Sequence, residues 1–302
     1  MKAVIPAAGL GIRFLPLTKA QPKEMLPVVD KPTIQYVIEE AIAAGISDII
    51  IVTGAGKRAI EDHFDRSPEL ESILERNGKE RELQEIKRIS NLAEIHYIRQ
   101  KAPKGLGDAV YCARRHVGNE PFAVMLGDTI NIASVPVVKQ LMEIHELLDT
   151  SVIAVERVPK EKIQDYGIIK AKKVKERLHL IEDLVEKPKP DHAPSDYGIT
   201  GTYILTPGIF HCIEQTPAGR NGEIQLTDAL RLFLKEERIY AYEFEGRRYD
   251  IGDKLGWMKT NFELILDHPE FSEETTKFLL DLLKRKKMIK RTREGISRKR
   301  KR

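Results

Sequence analysis

Apolar and polar residues follow two rhythms along the chain, and each change of rhythm marks an element. Residues 2–6, KAVIP, are a short β-branched run that stops at small residues, which predicts a buried strand feeding a glycine loop. Ile34, Val37, Ile38, Ala41 and Ile42 recur at helical spacing and predict a helix over 32–45, with Gly45 as its stop. DIIIVT at 48–53 is a second buried strand. Strand, loop, helix and strand in this order make a βαβ unit, so the sheet is expected to start out parallel.

The pattern continues with a helix at 57–65. The Glu/Lys/Arg-dense stretch 69–90 carries Leu70, Ile73, Leu74, Leu83, Ile86 and Ile89, which predict a solvated helical insertion packed by one stripe. EIHYIR (94–99) reads as a strand, 106–117 as a helix, 122–126 as a strand ending in Gly127–Asp128, 135–149 as a helix and 151–158 as a strand. From 166 to 206 the chain turns helix-poor, with short strands in GIIKA, HLIEDLVE and GITGTYIL. Helices return at 207–216 and 225–236, AYEFEG and RRYDIG bracket a hairpin, and helices at 254–267 and 273–292 close the chain. The predicted fold class is α/β: a Rossmann-like, mostly parallel mixed sheet flanked by helices, with a small β-rich subdomain. One domain is expected over 1–268, with halves of 1–160 and 161–268, then a helix over 269–292 and a basic flexible tail over 293–302.

Composition adds little until charge is divided along the chain. At 302 residues, 41% hydrophobic and 32% charged, the protein is of ordinary globular type. No apolar run approaches the roughly 20 residues of a membrane span. The start, MKAVIPAAGLG, is broken by Pro6 and Gly9 before it could serve as a signal peptide, so a cytoplasmic protein is expected. Cys112 and Cys212 lie far apart and read as buried thiols, and no HxxxH supports a zinc hydrolase. The net charge of +4 hides an asymmetry. Residues 284–302 hold twelve Lys/Arg and one Glu, a net of +11, which leaves −7 on the rest. An acidic body without a basic stripe argues against a nucleic-acid-binding protein. Beyond Thr292 only Ile296 is apolar, too little to offset ordering entropy, so the tail is expected to be mobile when free. It reads as a solvated solubility tail or as a weak, salt-sensitive contact to polyanions, with no catalytic role.

Three segments carry chemistry. After the first strand, the loop Gly9-Leu10-Gly11 lacks the third glycine of a dinucleotide fingerprint and the GK[ST] ending of a P-loop. What remains is a glycine loop followed by Arg13 and Lys23, which suits a triphosphate whose pyrophosphate must leave. Asp128, at the end of a central strand, faces the crevice where α/β sheets bind ligands and fits a Mg²⁺ ligand; Asp250 is the candidate second carboxylate. Glu186-Lys187-Pro188 pairs an acceptor for sugar hydroxyls with a point charge for a sugar phosphate, and gains weight only from its company.

Those residues bring out a resemblance from about residue 2 to about residue 266. AAGLGIRFLPLTKAQPKEMLPVVDKPTIQY, QKAPKGLGDAV, LGD, VEKP, GEIQLTDAL and YDIGDKLG, in this order, resemble the UTP–glucose-1-phosphate uridylyltransferase branch of the sugar nucleotidyltransferase family. The resemblance implies a GT-A-like fold whose β-rich part lies on the sugar side. It also implies uridylyl transfer from UTP to glucose 1-phosphate by in-line, Mg²⁺-assisted attack without a covalent intermediate, in a homodimer or homotetramer. Ala8, Gly9, Gly11 and Arg13 would hold the nucleotide phosphates, and Lys23 the α-phosphate and leaving pyrophosphate. Gln100 and Gly105 would read the uracil edge. Asp128 and Asp250 would bind the metal, and Gly167, Glu186 and Lys187 the glucose 1-phosphate. Three positions depart from the family: Ile12 stands where Thr is usual, Thr129 follows Asp128, and Thr202 stands where this branch usually has Arg. A thymidylyltransferase, another sugar-1-phosphate nucleotidyltransferase and a nucleotide-sugar sensor without turnover remain as alternatives.

Overall fold

The computed structural model describes residues 1–219 and 222–299, with side chains through residue 286. The strands are β1 (Lys2–Pro6), β2 (Pro27–Val28), β3 (Lys31–Pro32), β4 (Asp48–Thr53), β5 (Glu94–Arg99), β6 (Phe122–Met125) and β7 (Thr129–Ile132), then β8 (Ser151–Arg157), β9 (Gly167–Lys175), β10 (Leu178–Glu186), β11 (Tyr197–Leu205), β12 (Ile239–Glu243) and β13 (Arg247–Asp250). The helices are α1 (Thr33–Ala43), α2 (Arg58–Phe64), α3 (Pro68–Arg76), α4 (Glu80–Ser90), α5 (Leu106–Cys112) and α6 (Arg114–Val117), then α7 (Val137–Leu148), α8 (Ile209–Gln215), α9 (Leu226–Phe233), α10 (Lys254–Leu266) and α11 (Ser272–Lys299).

Nine strands form one sheet in the order β5-β4-β1-β6-β11-β8-β12-β10-β9. The first four are mutually parallel, so the loops after β1, β4, β5 and β6 gather on one edge. β11 enters antiparallel between β6 and β8, and β12 lies parallel to β8. Side chains alternate between two cores, as pleating requires. Val4, Ile50, Val52 and Val124 pack against Val110, Ile213 and Leu230 on one face; Ala3, Ile5, Ile49, Ile51 and Met125 pack against Val37, Ile38, Val138 and Leu141 on the other. Covering both faces makes these strands continuous apolar runs. A third, smaller core of Phe14, Leu26, Val28, Ile130, Tyr249 and Ile251 joins the segment after the glycine loop to the β7–β13 ribbon.

Some expectations need revising. AYEFEG and RRYDIG do not pair with each other: β12 adds to β8 in the main sheet, whereas β13 pairs antiparallel with β7. The β-rich segment, as expected of a single domain, joins the main sheet: β9, β10 and β11 all belong to its nine strands. In the insertion, Leu83 is buried but Leu70 and Ile73 are exposed, so the stripe is only partly covered. α11 runs seven residues past the expected end at Thr292. Lys and Arg, which dominate this segment, are good helix formers. Residues 300–302 of the expected tail lie outside the described residues.

One buried acid makes stability depend on pH. The Glu40 carboxylate is enclosed between α1, β7 and the start of α7, although the residue keeps some exposure. It accepts from Asn131 Nδ2 at 3.0 Å and from the Val138 amide at 3.1 Å. Burial pushes its pKa from 4.5 up to about 7, against the pull of those hydrogen bonds. The folded state therefore holds a proton that the unfolded state has released, and stability falls as pH rises through about 4.5 to 7. At 1.36 kcal/mol per unit the full loss is on the order of 3 kcal/mol. Glu40→Gln should therefore raise Tm by several degrees at pH 8 and leave it nearly unchanged at pH 5. Asn131 can rotate its amide to meet the new donor, since its Oδ1 is buried and has no partner among the described residues. Melting curves at the two pH values check this, and an equal shift at both would refute the assignment.

Candidate active site

The site assembles along the edge where the parallel strands end. β1 leads into Ala7, Ala8 and the glycine loop, and Gly11 takes a left-handed φ of 65° to start the turn Ile12–Phe14. That turn buries Phe14 and leaves Ile12 and Arg13 exposed. Arg13 Nη1 lies a long 3.5 Å from the Gly252 carbonyl, so the guanidinium is free to meet a ligand. A further 3-10 turn, Lys23–Met25, presents Lys23, whose Nζ donates to Asp128 Oδ2 at 2.5 Å. Burial opposes the lysine's charge, but the carboxylates of Asp128 and Glu24 outweigh it and hold the ammonium's pKa above its ordinary value.

Asp128 sits between β6 and β7, and its carbonyl accepts from the Ile251 amide at 3.1 Å. Asp250 stands opposite Thr129 in the β7–β13 ribbon. The ribbon thus brings together two carboxylates that lie far apart in the chain. Asp250 Oδ2 accepts from Tyr166 Oη at 2.7 Å and lies 3.4 Å from Arg248 Nη1. Among the described residues no hydrogen bond engages Oδ1 of either aspartate, whereas Oδ2 of each has a cationic neighbour. Two carboxylates on neighbouring stretches of backbone, each with a spare oxygen, suit a hard divalent ion that takes its remaining ligands from phosphates and water.

At the end of β5 the Gln100 amide nitrogen donates to Asp108 Oδ2 at 2.6 Å and to the Gly105 carbonyl at 3.2 Å. A carboxylate only accepts, so Asp108 fixes which end of the amide is the donor. Gln100 therefore offers a ligand its carbonyl oxygen, an acceptor for an imide N–H, rather than the donor-and-acceptor pair its residue type allows. Gly105 has φ 97°, and a Cβ there would fall 2.6 Å from the Ile224 carbonyl oxygen. Only glycine lets this loop lie against the segment before α9.

The third cluster lines a cavity of about 460 Å³ bounded by Glu186, Lys187, Glu223, Gln225, Asp228 and Arg231. Gly167 faces Glu186 across β9 and β10. Glu186 Oε2 accepts from Thr227 Oγ1 at 2.7 Å, and Lys187 Nζ lies 3.2 Å from Glu186 Oε1. Lys187 adopts a left-handed φ of 44°, the kind of strain that collects at ligand sites. Its amide donates to the carbonyl of Tyr166, the residue that also holds Asp250. Burial, then the charge of Glu186, raises the Asp228 carboxyl above its usual range.

The structure joins Lys23 to Asp128, Asp250 to the same ribbon, Gln100 to Gly105, and Gly167 to Glu186 and Lys187. Thr202 belongs to none of these groups: it is buried on β11, with its hydroxyl 3.4 Å from Asn131 Nδ2. Its departure from the family pattern therefore bears on packing. Sequence reasoning passed over Glu24, Lys57, Asp108, Tyr166, Thr227 and Arg248. Arg248 had a legible signal, standing two residues before Asp250 and so on the same strand face.

Comparison with known proteins shows the family and the fold. A family model described as nucleotidyl transferase matches residues 2–264. The UTP–glucose-1-phosphate uridylyltransferase of Bacillus subtilis is 54% identical over 287 residues, 95% of this chain and 98% of the relative. UTP–glucose-1-phosphate uridylyltransferase 1 of Staphylococcus saprophyticus is 53% identical over 94% of this chain and 99% of its own. Among solved structures, the UTP-bound UGPase from Acinetobacter baumannii superposes with a TM-score of 0.87 at 39% identity, covering 93% of this chain and 99% of that one. A UDP-glucose pyrophosphorylase complexed with UDP-glucose gives 0.81 at 43% identity, covering 88% and 99%.

Proposed function

The chain belongs to the nucleotidyl transferase family, and we propose that it transfers the uridylyl group of UTP to glucose 1-phosphate, giving UDP-glucose and pyrophosphate. The observation that carries the reading is the Lys23–Asp128 pair under the glycine loop. In strand order it lies between an imide-reading glutamine and the cavity of Glu186 and Lys187. The relatives' names supply the two substrates.

The chemistry needs no covalent intermediate, because the attacking phosphate oxygen is already an anion. The protein's work is to position two polyanions and cancel their repulsion. Arg13 and the loop amides take the nucleotide phosphates. Lys23 balances charge at the α-phosphate and on the departing pyrophosphate. Lys187 meets the sugar phosphate while Glu186 accepts from sugar hydroxyls. Asp128 and Asp250 would hold Mg²⁺, which when bound withdraws charge from the α-phosphate. Gln100 Oε1 accepts from the N3–H of uracil, which thymine shares and cytosine lacks. Both substrates are intracellular phosphates, which favours a cytoplasmic enzyme. The exposed stripe of Leu255, Met258 and Phe262 on α10 favours a homo-oligomer.

Pyrophosphate release should be measured with UTP, dTTP, CTP, ATP and GTP against the 1-phosphates of glucose, galactose and N-acetylglucosamine. UTP with glucose 1-phosphate should be fastest, dTTP second, and CTP and ATP poor. Equal use of ATP would overturn the base-site assignment.

A further inference from the structure

A second ion pair lies directly behind the first. Lys57 Nζ donates to Glu24 Oε2 at 2.8 Å, and both side chains are almost fully enclosed, at 6% and 1% exposure. Lys57 follows the Gly54–Gly56 turn after β4 and caps α2, whereas Glu24 comes from the turn after the glycine loop. The other oxygen of Glu24, Oε1, is buried and has no partner among the described residues. A Cβ on Gly127 would come within 3.2 Å of Glu24 Cγ, so the glycine beside Asp128 makes room for this carboxylate. The charges therefore run Lys57, Glu24, Lys23, Asp128, across loops that follow three neighbouring strands, β4, β1 and β6.

Two charges taken out of water stabilise a fold poorly, and an apolar pair of similar volume would often serve as well. A role in the site accounts better for the pair. Glu24 is the neighbour of Lys23 in sequence and acts on its charge. Burial raises the pKa of the Glu24 carboxyl, so without Lys57 it would keep its charge only by drawing on the Lys23 ammonium, in competition with Asp128 and phosphate. We propose that Lys57 is a positioning residue: by holding Glu24, it keeps the Lys23 ammonium directed at Asp128 and at the phosphates. Lys57 itself touches no substrate. This rests on the role given to Lys23 above.

The test compares Lys57→Met, Glu24→Gln and the double variant, by kcat, by KM for each substrate and by calorimetric affinity for inorganic pyrophosphate. Lys57→Met should lower kcat at least tenfold and weaken pyrophosphate binding, with KM for glucose 1-phosphate nearly unchanged. The double variant, which buries no stray charge, should restore kcat and pyrophosphate affinity to within tenfold of the parent. If Lys57→Met keeps full kcat and loses only Tm, the pair is structural and the proposal fails. If the double variant stays as impaired as the single, Lys57 contacts the ligand directly and the proposal also fails. Should Lys57→Met not fold, the double variant decides by the same tenfold limit. Pyrophosphate affinity reads the proposal even if UTP and glucose 1-phosphate prove to be the wrong substrates, which separates its failure from that of the functional reading.

Discussion

Replacing Lys23 by methionine should lower kcat by on the order of 10²–10³-fold, the usual effect of removing one preorganised charge from a transition state. The variant should need no more Mg²⁺ than the parent, and this second effect is the sharper one. The Lys23 ammonium sits 2.5 Å from Asp128 Oδ2 and shares the carboxylate proposed to hold the ion. Removing it frees an oxygen for the metal. Asp128→Asn should lower kcat comparably but raise the Mg²⁺ concentration needed for half-maximal rate, because the anchor itself is weakened. Initial rates over a Mg²⁺ titration separate the two. A matching rise in Mg²⁺ requirement in the Lys23 variant would show that its ammonium does not compete with the ion.

Gly105→Ala should raise KM for UTP more than tenfold while leaving KM for glucose 1-phosphate nearly unchanged. The new methyl group would fall 2.6 Å from the Ile224 carbonyl oxygen and 2.9 Å from its nitrogen, both rigid backbone. The residue also needs φ 97°, which alanine reaches only at a strain of about 1–3 kcal/mol. The base loop must therefore move off the 223–225 segment, and the Gln100–Gly105 contact of 3.2 Å moves with it. Steady-state kinetics with each substrate varied in turn gives the answer, and an unchanged KM for UTP would take Gly105 out of the base site.

How much of this was legible in the sequence depended on the range of the interaction. β1, β4 and β6 could be read because a strand covered on both faces must be apolar throughout, and that is written in consecutive residues. α1 could be read from the spacing of Ile34, Val37, Ile38 and Ala41. The partners of β12 and β13 could not. β12 chooses β8 and β13 chooses β7, each from far earlier in the chain. Gly246, between β12 and β13, has the positive φ of a turn glycine, but what requires a glycine there is Ala133, whose Cβ would lie 2.6 Å from an added one. The candidate site divides in the same way. Arg13, Lys23 and Asp128 lie in compact motifs at strand ends. Tyr166, Thr227 and Arg248 act by contacts that join the segment before β9 to β13, α9 to β10 and β13 to β8, which no local spacing encodes.

The place of β11 in the sheet has a consequence for biosynthesis. Residues 197–205 form the strand that pairs with both β6 and β8, so each lacks its neighbour on that side until the ribosome has passed residue 205. β6 is complete at Met125, and all four of its residues are buried in the finished protein. For roughly 80 residues of elongation, about 4–16 s at ordinary rates of synthesis, this apolar strand is the open edge of a half-built parallel sheet. The nascent chain therefore presents a sticky edge of the kind that chaperones cover. Ribosome pauses between about residues 126 and 205 should raise the aggregated fraction, whereas pauses after β12 has emerged should have little effect.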